Sequence, residues 1–167
     1  MQAQDQGFQT AVATLALTGR LVDHAIDRIP SNEWLGRPAP QSNHVLWIVG
    51  HLATTRGLLV CTLEREREIP DDPLYPLFAG GTPLREDEAY PSASVVADAW
   101  REMATRVDHT LRNTTCRDLD RPSPEGVPTL NGLVSGVLAA SVFHEAYHVG
   151  QLGYLMRWLG HGPLVGR

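Results

Sequence analysis

The segment FHEAYHVGQ, residues 143–151, contains the pattern H-E-x-x-H, which places two imidazoles and a carboxylate within little more than one helical turn. Histidines at i and i+4 project from successive turns in the same direction, so their ring nitrogens can meet around one ion. At about 100° per residue, His144, His148 and Gln151 fall within about 60° of one another. Leu133, Val137, Ala140, Leu155 and Trp158 share that arc, so the polar trio belongs to the face expected to look into a core. Imidazoles on such a face need partners, either a metal ion or structural hydrogen bonds, because burying them bare is costly.

A third imidazole is available on a second apolar segment. His51, in WIVGHLATT, lies on a face with Ile48 and Leu58, and Gly50 beside it permits close approach of a neighbouring helix. Alone it reads equally as a hydrogen-bonded core histidine. Joined to His144 and His148 it completes a three-imidazole site for a divalent transition metal with positions open for water or substrate; imidazole suits zinc, nickel, iron and copper alike, and zinc or nickel is expected first, with iron after them. Glu145 is then the first candidate for proton transfer, or an orienting group behind the ligands, and Gln151 for a hydrogen bond to substrate. Arg56 and Arg157 are candidates to bind a cosubstrate carboxylate. His44 falls near a helix start where exposure is expected, and His24, His109 and His161 read as surface or rim residues.

The peptidase reading of H-E-x-x-H fails on its third ligand. Residues 149–167 contain no carboxylate, and the extended histidine motif would need glycine and histidine where Gln151 and Tyr154 stand. A di-iron bundle fails as well: Glu145 and His148 form one Glu-x-x-His unit, and such sites need two, plus two further glutamates.

Four helical segments must position these groups, and no segment alternates in the manner of a strand. The first runs from about Asp5 to Ile29, with Phe8, Val12, Leu15, Val22, Ile26 and Ile29 inward and Pro30 ending it. The second runs from about Asn43, capped by Ser42, to Arg67, and carries Val45, Ile48, Val49, Leu52, Leu59 and Leu63. The third begins near Ser92 or Ser94 and ends near Asn113, burying Val96, Trp100, Met103, Val107 and Leu111; the fourth spans about Asn131 to Leu159 and stops at Gly160. A long connection rich in proline, residues 70–92, separates the second and third, as a surface crossover or as a lid over the site. Residues 114–129 read as a second loop. The expectation is an all-α four-helix bundle forming one domain over residues 1–167.

Composition narrows the partners. Net charge is −5 and all 14 basic residues are arginine, which disfavours phosphate-driven nucleic-acid binding. The N-terminus is polar and no apolar run approaches membrane-span length, so a soluble cytoplasmic protein without membrane contact is expected. Cys61 and Cys116 have no metal or redox spacing and read as core or loop thiols. Leu138, Val142, Val149 and Met156 put apolar residues on a further face of the last helix, either for the core or for a homodimer partner.

The pieces SNHVLWIVGHLATTRGLL, LFAGGTP, the YPS before the third helix, and FHEAYHVGQLGYLMRWLG together resemble the DinB-like (DinB/YfiT) superfamily of metal-dependent proteins over essentially the whole chain. The resemblance implies up-down-down-up topology, with the long crossover between helices 2 and 3, and places the family's three metal-binding histidines on His51, His144 and His148. It also implies chemistry on a small-molecule substrate of the thiol-dependent S-transferase type, with a low-molecular-weight thiol as cosubstrate. A non-enzymatic metal-binding or stress-response role and a metal-dependent hydrolase are the alternatives.

Overall fold

The computed structural model describes residues 2–65 and 73–166, and among these every element longer than a single bridge is helical. Four long helices dominate: α1 (Gln2–Arg28), α2 (Val45–Glu64), α4 (Ala93–Asn113) and α6 (Val134–Trp158). Two short ones, α3 (Tyr75–Phe78) and α5 (Cys116–Leu119), sit in the connections that the sequence pattern reads as loop. They escape a periodicity argument because four residues make one turn. The α5 turn is set by a capping box, in which Thr115 and Asp118 exchange hydrogen bonds.

Apolar content decides which helices are central. The α2 sequence VLWIVGHLATTRGLLVCTLE is apolar on nearly every side, and a helix of that kind must be surrounded. It packs against α4 and α6, while α1 packs chiefly on α6. By length and composition α2 alone among the described helices could cross a membrane, yet 83% of that window is buried inside the protein. In contrast, α1 and α4 each bury one stripe.

The ends of α2 differ from the expectation. Its N-cap is His44, whose Nδ1 accepts from the Trp47 amide at 3.0 Å, so Ser42 is not the cap and His44 is not exposed. At the other end Arg65 adopts a left-handed conformation, φ 63°, and donates its amide to the Cys61 carbonyl. The expected extension to Arg67, with residues 66–72 of the charged run and long connection, lies outside the described residues. Ser92 caps α4 and Gly160, φ 86°, follows α6, both as expected.

Two apolar clusters fill the bundle. One gathers Val22, Ile48, Phe78, Trp100 and Leu152; the other gathers Phe8, Leu15, Leu59, Val107 and Val137. α1, α2 and α6 also carry buried polar residues near where the two meet: Thr18, then His51, Thr54 and Arg56, then Glu145 and His148. Leu138, Val149 and Met156 belong to the clusters, so they provide no spare surface. Trp158, expected inside, is 47% exposed although Leu155, Met156 and Leu159 of the same turn are packed on the core; Phe143, Tyr147 and Tyr154 are exposed with it.

The long connection is anchored to α2. Phe78 is fully buried, and its ring lies so close to Gly50 that a Cβ there would meet it at 2.7 Å. The close approach Gly50 permits is therefore to this phenylalanine of the short helix α3 and not to one of the long helices. Burying the ring contributes about 1.5–3 kcal/mol, enough to fix residues around it as a wall of the bundle.

Candidate metal centre

The middle of α2 supplies His51 and the middle of α6 supplies His144 and His148. The three rings meet edge to face, with centroids 4.8 Å apart for His51 and His144, 4.9 Å for His51 and His148, and 4.5 Å for His144 and His148. One nitrogen from each lies within 4.8 Å of the others, so the cluster could hold a metal ion. His51 and His148 are 4% and 5% exposed, and His144 is half-buried.

The hydrogen bonds fix which nitrogens face inward. His51 Nδ1 lies 2.6 Å from the Phe78 carbonyl, a pure acceptor, so this nitrogen carries the proton and donates. Nε2 of His51 is then a bare lone pair, 2.9 Å from Nε2 of His144. His148 Nδ1 pairs with Gln151 Oε1 at 2.9 Å, which likewise turns its Nε2 to the cluster. Restraints on the outer nitrogen are what a ligating histidine needs. Among the described residues His144 has no such partner at Nδ1, and it is the least restrained of the three. The Trp47 indole stacks on His51, centroids 4.6 Å apart and 17° from parallel, covering its other side.

Electrostatics keep these rings neutral. Burial pushes His144 down to about 4, helped by the neighbouring His51. His148 is pushed to about 4 by burial and then by His144 and His51, against the Gln151 contact. Burial lowers His51 too, opposed by the Phe78 carbonyl. A ligating imidazole must be deprotonated, so at neutral pH the donor set suits a divalent transition metal.

Glu145 is placed elsewhere. Its carboxylate accepts from Arg56 Nε at 2.8 Å and Arg56 Nη2 at 2.7 Å, and from the Thr18 hydroxyl. Both partners of the ion pair are buried, at 3% for Glu145 and 5% for Arg56. Arg56 also donates to the Leu15 carbonyl at 3.1 Å and lies 4.2 Å over the Trp100 ring. Arg56 is thus already fully engaged inside the bundle, which removes it as a receptor for a cosubstrate carboxylate; Arg157, exposed in the last turn of α6, lines no part of the cavity beside the histidines. Gln151 is on the histidine side as its spacing suggested, holding His148.

A cavity of about 460 Å³ opens beside His51 and His144, between α1, α2 and α6 and closed by Tyr75, Gly80 and Val127 of the two long connections. His24 and His109 are exposed and His161 pairs with Glu33 at 2.8 Å on the rim. His44 is wholly buried, and burial followed by the Arg37 charge lowers it to about 4. Sequence reasoning missed Trp47 and Phe78 as supports of His51. Trp47 stands one turn before His51 and was legible in principle; the Phe78 carbonyl comes from 27 residues away and was not. Cys61 and Cys116 form no disulfide.

No curated protein matches the chain at a significant level. A family model described as the DinB superfamily matches residues 14–152, with His51, His144 and His148 all inside the matched span, and the chain belongs to that superfamily.

Proposed function

We propose that His51, His144 and His148 hold one divalent transition-metal ion, zinc or nickel first and iron after them, and that the protein is a metal-dependent enzyme of the thiol-dependent S-transferase type acting on a small molecule. One observation carries the reading: three imidazoles held neutral, two with their outer nitrogens anchored, converge at the wall of a cavity of ligand size. When bound, the ion would act as a Lewis acid that lowers the pKa of a thiol or water beside it.

The chain's own residues do the rest. Phe78 and Gln151 orient two of the rings, Trp47 shields His51 from solvent, and the aliphatic lining of the cavity excludes water from the reacting atoms. In the transfer, the sulfur of the cosubstrate bonds to an electrophilic carbon, the leaving group departs with the electron pair of the broken bond, and the thiol proton goes to solvent. Glu145 ties α6 to α2 and α1 through Arg56 and Thr18, which supports a positioning role for it in place of proton transfer.

Up-down-down-up topology accompanies this reading, supported by the long connection between α2 and α4. Cys61 and Cys116, which form no disulfide, fit a cytoplasmic setting, and the exposed aromatic residues of α6 support a homodimer. Neither nucleic acid nor membrane enters the proposal.

The test is turnover of 1-chloro-2,4-dinitrobenzene with a panel of small thiols by metal-loaded and metal-stripped protein. Turnover that requires both thiol and metal is expected. Ester or amide turnover without thiol would replace the transferase with a hydrolase. Absence of any turnover, together with a large loss of melting temperature on chelation, would favour a non-enzymatic metal-binding role.

A further inference from the structure

The walls of the 460 Å³ cavity are unusual in how little they offer a charged ligand. Leu15, Leu58, Leu59, Val127, Val137 and Ala140 supply most of the surface. Apart from the neutral phenol of Tyr75 at the mouth, the lining hydroxyls have their protons committed to backbone: Thr54 and Thr55 donate to the His51 carbonyl at 2.9 and 3.0 Å, and Ser141 to the Val137 carbonyl at 2.9 Å. Those three remain as acceptors only. Among the described residues the single cation of the wall, Arg56, faces the single carboxylate, Glu145, in a two-pronged pair, so the two cancel.

From this inventory we propose that the cavity takes a ligand whose body is uncharged and mainly apolar, with any polar or anionic head confined to the histidine end. A carboxylate, phosphate or sulfonate lodged away from the histidines would meet no free cation among the described residues and would lose its hydration without replacement. The same reasoning extends to the cosubstrate: a thiol bearing several carboxylates is excluded from this cavity, and a neutral thiol is accepted. The proposal rests on the cavity being the substrate site, as in the function proposed above, and adds the class of molecule.

The experiment uses two probes with one skeleton, neutral N-phenyl-1-naphthylamine and its sulfonated counterpart 8-anilinonaphthalene-1-sulfonate, titrated by fluorescence into metal-stripped protein. Two cavity-filling variants, Ala140→Phe and Leu58→Phe, serve as controls, and circular dichroism checks that each keeps its helix content. In metal-stripped protein the histidine end offers neutral rings with bare lone pairs and no cation, so the sulfonate has no place there either: the neutral probe should bind, the sulfonate should bind about 100-fold more weakly, and both variants should lose the neutral probe at least tenfold. Equal or tighter binding of the sulfonate would overturn the proposal. So would no binding of the neutral probe, or binding that survives unchanged in a correctly folded variant, since it would lie outside the cavity. Zinc titration of the same proteins reports on the histidines separately, so failure of the metal centre and failure of this inference give different results.

Discussion

Replacing Glu145 by glutamine keeps the shape of the side chain and removes its charge. Arg56, only 5% exposed, would then face an amide whose oxygen can accept from one of its two donating nitrogens while its NH2 group opposes the other. The contact with the Leu15 carbonyl and the Trp100 ring would persist, and neither neutralises a guanidinium. Leaving one partner of a buried pair uncompensated costs about 3–5 kcal/mol. For a chain of this size each kcal/mol moves the melting temperature by about 2–4 °C, so Glu145→Gln should melt about 6–20 °C lower. The assay is thermal denaturation followed by circular dichroism in the presence of chelator, which removes any contribution from metal. Arg56→Met with Glu145→Leu should recover most of the loss, because two apolar side chains of similar volume leave no stranded charge. A shift of less than about 2 °C in the single variant, accompanied by loss of turnover, would refute the reasoning and return Glu145 to the proton-transfer role that H-E-x-x-H suggests.

Two further predictions follow from the supports of the site. Gly50→Ala places a Cβ 2.7 Å from the Phe78 ring, displacing the residue whose carbonyl orients His51; it should cost about 1–3 kcal/mol and weaken metal affinity about 10–100-fold, measured by competition with a chromophoric chelator, and unchanged affinity would contradict it. Metal-free protein should lose stability on acidification. His44, His144 and His148 sit near 4 in the fold against 6.5 in the unfolded chain, and His51 is lowered with them, so between these values the unfolded chain binds more protons. Their contribution is fully present above pH 6.5 and is lost as pH falls towards 4; melting temperature against pH tests this, and a flat profile from pH 7 to 4.5 would count against it. His44→Asn, which retains a side chain able to cap α2, should make the slope shallower.

Spacing within helices made much of the site readable. The four long helices appear close to where apolar periodicity puts them, and His51, His144 and His148 come together as their positions on the central faces require. Contacts between distant segments were not readable. Nothing in a one-dimensional pattern pairs Arg56 with Glu145 and Thr18, so Glu145 read as an acid–base candidate and Arg56 as a free cation. His44 was expected outside because helix starts are usually wet, and it is inside because its ring replaces a cap hydroxyl while Tyr90 packs edge-on against it at 5.1 Å. Trp158 was expected inside because its angular position matched the core face, yet at that turn Leu155, Met156 and Leu159 take the core positions and leave the indole half outside.

The proposed function stands on three histidines from two helices forming one metal site. Elemental analysis and competition titration of the wild-type protein beside His51→Ala, His144→Ala and His148→Ala test it most directly. The account predicts about one equivalent of zinc or nickel per wild-type chain and an affinity loss of at least about 100-fold in each variant, smallest for the unanchored His144. Near-stoichiometric metal retained by both His144→Ala and His148→Ala would contradict it.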